Sequence, residues 1–201
     1  MRGSSRRRPF TSAEAGHLWC PVSAVGETET MTQTPRDPHS DPSVREERVV
    51  QAEREIGAPA ELIFELIADP SRQPEWDGNE NLAEASSGQR VRGVGEVFGM
   101  TLTNGQEREN RIVDFEEGRV IAWKPAPAGE EPRGHIWRYD LTPVDADTTL
   151  VRHTYDWSGL WDETRYERAR ATREENLRAS LDRLAELAEA ESSGPPPGLS
   201  A

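Results

Sequence analysis

The chain is almost without cysteine: of its 201 residues only Cys20 carries a thiol. One cysteine makes no intramolecular disulfide and no structural zinc cluster, and its position in the N-terminal leader leaves no thiolate nucleophile for a folded site. Basic charge is also short. The 24 Lys and Arg residues face 37 Asp and Glu, for a formal net charge of −13 and a pI near 4.8. Such a molecule as a whole is repelled by a phosphate backbone or an anionic membrane, so nucleic acid is not an expected partner. Long apolar runs are missing as well. The basic cluster Arg6-Arg7-Arg8, followed by Phe10, faintly resembles a twin-arginine export signal, but Glu14, His17 and Glu27 interrupt what comes next. Neither a secretory peptide nor a membrane-inserted helix is expected, and cytoplasmic residence is the default. No internal repeat and no Gly-x-Ser-x-Gly elbow occurs, and Gly93-Val94-Gly95 lacks the strand-to-helix context of a phosphate loop.

What the chain does contain is concentrated between two tails. Residues 1–45 are rich in Ser, Thr, Pro, Gly and charge without apolar periodicity, which reads as a disordered leader. Met31 begins a segment, residues 31–41, that resembles a leader complete in itself, so Met31 is an alternative translation start. From Glu191 the run Ser192-Ser193-Gly194-Pro195-Pro196-Pro197-Gly198 cannot continue a helix, and residues 191–201 read as a disordered tail. The domain is therefore expected over residues 46–190, roughly 145 residues, enough for one core that removes about two-thirds of the unfolded surface from water.

The most informative part of that domain runs from Arg133 to Trp157. His135, Trp137, Tyr139 and Leu141 alternate with Ile136, Arg138 and Asp140, and Val151, His153, Tyr155 and Trp157 alternate with Arg152, Thr154 and Asp156. This is the two-residue period of half-buried strands. With Asp145, Ala146 and Asp147 as a three-residue loop, the hairpin register sets Tyr139 beside His153, Trp137 beside Tyr155 and His135 beside Trp157. An ordinary core is built from Leu, Ile and Val. Rings with polar tips need partners when buried, so this face reads as the wall of a cavity that meets a ligand or ordered water.

Elsewhere the pattern gives a strand over Glu46 to Ile56, a helix opened by Pro59 and closed by Asp69-Pro70, and a short helix or turn over Ser71 to Trp76 that leaves Trp76 on a loop. Strands follow over Leu82 to Ala85, Gly95 to Leu102, Glu107 to Phe115 and Arg119 to Trp123. One long helix is expected from Asp162 to about Ala190, with Leu177, Leu181, Leu184 and Ala188 on one stripe and a loosely held first half. Strand, two short helices, six strands and a long helix make an α+β domain.

In that order, the segments Gly57-Ala58-Pro59-Ala60-Glu61-Leu62-Ile63-Phe64 and Ala68-Asp69-Pro70 through Glu75-Trp76 resemble the helix-grip superfamily of START-type and birch-allergen-like (SRPBCC) domains, and within it the bacterial polyketide cyclase/dehydrase-like proteins. The pair Arg111-Ile112-Val113-Asp114-Phe115 and Val120-Ile121-Ala122-Trp123 carries the same likeness. The resemblance covers about residues 46–190. It implies a curved antiparallel sheet of six to seven strands wrapped around a long C-terminal helix, with a deep, mostly apolar pocket between them used for lipids, hormones, polyketides and other hydrophobic small molecules. It does not imply catalysis.

Three functions stay open on these residues. The first, favoured by the ring-lined wall, is binding of an aromatic or lipid-like small molecule by Trp76, Trp123, His135, Trp137, Tyr139, His153, Tyr155 and Trp157. The second is a polyketide cyclase or dehydratase, with His153 as acid/base, Tyr139 as its orienting or proton-donating partner, and Arg111 or an arginine of the last helix, Arg170 or Arg173, stabilising an enolate. The third is a protein-interaction module, like the chaperone-activating relatives of the superfamily, which would need an exposed apolar patch. His135 and His153 face rings rather than each other and no carboxylate shares their side, so no metal and no other cofactor is expected.

Overall fold

The computed structural model describes residues 46–194. The leader over residues 1–45, with the alternative start at Met31, and the tail from Pro195 lie outside the described residues. In chain order the elements are β1 (Val49–Ile56), α1 (Ala60–Ala68), α2 (Gln73–Trp76), β2 (Leu82–Glu84), β3 (Val97–Leu102), β4 (Glu107–Glu116) and β5 (Val120–Pro127). Then come β6 (Ile136–Pro143), β7 (Thr149–Asp156), α3 (Tyr166–Ala171) and α4 (Glu174–Ser192). The strands form one curved antiparallel sheet of seven in the order β1-β7-β6-β5-β4-β3-β2, and α4 lies in its concave side. This is the helix-grip arrangement. Among the described residues, no helix is long and apolar enough to cross a membrane.

Each element follows from its pattern. In β1, Ala52 and Ile56 are buried while Gln51, Glu53 and Glu55 face water. Pro59, expected as the first helical residue, occupies the N-cap of α1 instead, one position earlier, and Ile63, Phe64, Leu66 and Ile67 form the buried face. Asp69 leaves the helical region (ψ 104°), and its carboxylate accepts from the Ser71 N–H at 3.0 Å to start a single 3-10 turn that leads into α2. Trp76 is the last residue of α2 rather than a loop residue.

The hairpin register is the one expected. Trp137 pairs with Tyr155 and Tyr139 with His153, and the Val144 N–H donates to the Thr148 carbonyl at 2.8 Å across the turn. The ladder stops at Ile136 and Asp156, so His135 and Trp157 lie just beyond it.

Two departures from the sequence reading shape the site. In β4 the pairing with β5 slips between Ile112 and Asp114, leaving Val113 as an extra residue. Such a bulge reverses which side chains face inward. Before it, Asn110 and Ile112 are buried, and beyond it Phe115 packs edge-on to Phe64 at 5.6 Å. The second departure is in the expected long helix, which is broken. After a 3-10 turn (Glu163–Arg165) and the short α3, Thr172 (ψ 118°) and Arg173 (φ −118°, ψ 167°) are extended. The α4 helix restarts with Asn176 Oδ1 accepting from the Arg173 N–H at 2.9 Å and the Asn176 N–H donating to the Arg173 carbonyl. A helical period carries no signal for a two-residue break when the residues on both sides are good helix formers.

From there α4 runs two residues past its expected end and buries Leu177, Leu181, Leu184, Ala185 and Ala188 completely. Each leucine contributes about 1.5–3 kcal/mol of burial free energy. An Arg54–Asp182 ion pair and a bond from the Gly57 N–H to Glu189 Oε1 at 3.1 Å tie the helix to β1.

Candidate functional site

Between the sheet and the helices lies a cavity of about 350 Å³. Its floor comes from the middle of the sheet, where Trp123 (β5), Tyr139 (β6) and His153 (β7) stack across three neighbouring strands. Tyr139 and His153 lie 4.1 Å apart with ring planes 14° from parallel, and Trp123 and Tyr139 lie 5.8 Å apart at 20°. Trp76 closes one side edge-on to Tyr139 at 5.7 Å. A second ring group sits nearer the strand ends, with Trp137 and Tyr155 at 4.3 Å and His135 against Tyr155 at 5.9 Å. Direct cross-strand pairing and the diagonal reach of aromatic side chains produce both groups. The roof is Asn176 and Ser180 of α4 with Ala169 of α3, and Met100 and Asn110 complete the wall.

Seven of the sequence-predicted residues therefore line the cavity: Trp76, Trp123, His135, Trp137, Tyr139, His153 and Tyr155. Trp157 does not. It lies past the end of the ladder, 2% exposed, packed on Tyr166 of α3 at 5.9 Å with the Arg48 guanidinium 4.9 Å over its ring. Trp76 is not on a loop. It is buried, and its Nε1–H donates to the Leu66 carbonyl at 3.0 Å, because the turn at Asp69-Pro70 folds α2 back onto α1.

Arg111 requires a larger correction. A regular strand with Phe115 inward would carry Arg111 inward too, but the bulge at Val113 turns Arg111 out to solvent, 3.7 Å from Glu131. The residue that enters is Arg108, on the same side as Asn110 and Ile112. Similarly Arg170 faces away and pairs with Glu46, and Arg173 lies on the outside with it, while Arg165 and Arg168 reach the cavity. The alternation Arg108, Asn110, Ile112 was the available signal for these inward positions; the arginines of α3 had none without the break at Thr172.

The electrostatics are those of a dry wall. Burial pushes the His153 imidazole down to about 3, against a weaker opposing pull from the Leu177 backbone. Burial first, and then the charges of Arg165, Arg168 and Arg108, push His135 down to about 4. Burial raises Tyr139 well above its ordinary value, with a further push from Asp77, and raises Tyr155 to about 12 against the opposing effect of Arg168 and Arg165. Both imidazoles are neutral at pH 7.

Two polar atoms here are unpaired. His135 Nδ1 and His153 Nδ1 are buried without a hydrogen-bond partner among the described residues. The expected bond from Tyr139 to His153 is absent because the two rings lie face to face, which carries the hydroxyl away from the imidazole edge. By contrast Asp77 is fully engaged, accepting from the Asn79, Asn81 and Leu82 N–H groups. Among the described residues no group of three His, Cys, Asp or Glu side chains is arranged to hold a metal ion. The arrangement can bind a flat or flexible apolar body on its rings and offers hydrogen bonds at a few fixed points.

A family model described as polyketide cyclase / dehydrase and lipid transport matches residues 47–189. Two curated relatives from Mycobacterium tuberculosis, the uncharacterized proteins Rv0088 and MT0096, are 24% identical over 110 residues and 30% identical over 112 residues. Each alignment covers 51% of this chain and 45% of the relative, so the chain spans about half the length of the curated relatives it matches. Among solved structures, protein MLL2253 from Mesorhizobium loti matches with a TM-score of 0.53 at 20% identity, over 71% of this chain and 98% of that one. Norcoclaurine synthase from Thalictrum flavum gives 0.51 at 16% identity, over 72% and 96%. The Aha1 dimer from Colwellia psychrerythraea gives 0.51 at 21% identity, over 73% and 98%. At these identities the structures share the fold. The curved sheet, the gripped helix and the match over residues 47–189 together place the chain in the polyketide cyclase / dehydrase and lipid transport family.

Proposed function

We propose that this domain binds a hydrophobic small molecule, aromatic or lipid-like, in the cavity between the sheet and α4. The observation that carries the reading is the near-parallel series Trp123, Tyr139 and His153 across three strands, facing open volume instead of leucine and valine. Such rings give a ligand wide, rigid contact at little entropic cost. Polar side chains on the wall, among them Asn110 and Asn176, offer hydrogen bonds that orient it. The same fold in norcoclaurine synthase occurs in complex with dopamine and hydroxybenzaldehyde, both small aromatic molecules.

Binding is preferred to catalysis on the chemistry of the wall. An acid/base group works best with a pKa near the working pH. His153, held down to about 3, is a weak base and almost never protonated at neutral pH. Tyr139 is pushed the other way, and Arg111 stands outside. A protein-interaction role has less support: the exposed large apolar residues Val49, Val94, Val97, Val144 and Trp161 are spread over separate elements.

The test is native mass spectrometry of the full chain purified gently from its host, followed by denaturation of the same sample. A released apolar molecule of defined mass is the expected result. An empty protein that is also not stabilised thermally by any member of an aromatic and fatty ligand panel would overturn the reading.

A further inference from the structure

One end of the cavity is strongly basic in a chain that is otherwise acidic. Arg108 reaches it from β4, while Arg165 and Arg168, three residues apart around the start of α3, reach it from above. All three line the cavity together with His135, which lies against Tyr155 at the strand-end side and feels the charge of each. Their neighbours neutralise them only in part. Arg165 pairs with Asp162 at 3.2 Å, and that carboxylate also meets Arg133 at 4.0 Å. Arg108 bonds only the neutral Gln106 side chain, at 3.2 Å, and Arg168 makes no ion pair among the described residues. Glu130 acts weakly on Arg108 but is itself bonded to Arg133. Asp77, the acidic residue in the cavity wall, is held by three backbone N–H groups.

With 37 acidic residues in the chain, two uncommitted guanidiniums beside a third and beside a hydrophobic cavity form a site for an anion. Resting on the pocket reading above, we infer that the ligand is an amphipathic acid whose carboxylate sits among Arg108, Arg165 and Arg168 while its apolar body lies along the Trp137, Tyr155 and Tyr139 rings. Asp162 already answers Arg165, so two positive charges, those of Arg108 and Arg168, are left to attract the carboxylate. The mutual repulsion of the three cations also appears as the lowered pKa of Arg108, where burial is the larger cause. Neutral His135 adds a buried polar atom at the same end.

Two matched probe pairs test this by calorimetry on the full chain: 2-naphthoic acid against 2-naphthalenemethanol, and dodecanoic acid against dodecanol. The expected result is that at least one acid binds about tenfold or more tightly than its alcohol, the scale of a charge-assisted hydrogen bond. In the R108Q/R168Q variant that ratio falls to near unity, whereas R178Q, on the outer face of α4 beside Glu174, keeps it. The naphthyl and dodecyl pairs separate an aromatic acid from a fatty acid. Equal binding of acid and alcohol in both pairs, or a ratio that survives R108Q/R168Q, overturns the acid assignment while leaving the pocket intact. Failure of all four probes to bind overturns the pocket reading and the acid assignment with it.

Discussion

His153 lies flat against Tyr139, with Trp137 tilted over it at 5.4 Å and α4 across its edge, and no carboxylate stands beside it to receive a cation. His135 shares this condition less deeply and has three arginines around it. Both folded-state values, about 3 and about 4, lie below the 6.5 of a free imidazole. The unfolded chain therefore takes up protons below about 6.5 that the native state refuses, so this part of the stability is complete above 6.5 and is lost as pH falls toward the folded values. Between pH 6.5 and about pH 5 each buried histidine lowers stability by about 1.5 kcal/mol. Urea unfolding across that window should show the decline, and H153Q should remove roughly half of its slope; a flat profile would mean that the imidazoles are hydrated. Single residues also show the limit of sequence reading. Tyr139 and His153 were legible as partners because alternation and turn length fix a hairpin register. Arg111 was misplaced because one extra residue, Val113, reverses the parity of a strand without changing its composition.

At the level of elements, the hold of α4 on the rest of the fold depends on a glycine. Gly78, just after α2, approaches so closely that a Cβ there would stand 2.3 Å from the Ala179 and Ser180 backbone, and its N–H donates to Ser180 Oγ at 3.1 Å. Arg183 reinforces the contact by donating to the Asp77 carbonyl at 2.9 Å. G78A should therefore destabilise the domain by about 2–4 kcal/mol, since rigid backbone must shift to admit the methyl group, whereas S180A, which removes only one hydrogen bond, should cost about 1 kcal/mol. Equal midpoints for the two variants in urea would contradict the close packing. The α3 segment behaves differently. Ala169 is its one buried residue, and the extended pair Thr172 and Arg173 separates it from α4. Amide exchange in α3 is expected to be orders of magnitude faster than in the Leu177–Ala188 core of α4, in keeping with its few buried contacts. Matching protection in the two helices would show that they open as one unit. Apolar stripes predicted α4 well, because Leu177, Leu181 and Leu184 recur at helical spacing. The break before it was invisible, because capping by Asn176 depends on backbone geometry more than on residue order.

For the molecule as a whole, ligand binding and folding are linked. A molecule that occupies the cavity in the native state alone raises stability by about 2.7 kcal/mol at a hundred times its dissociation constant, which for a domain of this size is a rise of a few degrees in melting temperature. The increase should grow with the logarithm of ligand concentration, and a melting temperature independent of it would place the ligand elsewhere. Element order was enough to recognise the helix-grip architecture. The charged end of the cavity was not recognisable, since it joins β4 to the start of α3 across more than fifty positions of chain. One consequence of the ring wall concerns how the protein can be observed. Among the described residues, Trp76, Trp123 and Trp137 line the cavity, while Trp157 and Trp161 stand apart from it. Part of the intrinsic ultraviolet emission thus comes from indoles a guest would touch, so the unlabelled protein reports its own occupancy: exclusion of water shifts that light to the blue, and a chromophoric guest quenches it by energy transfer.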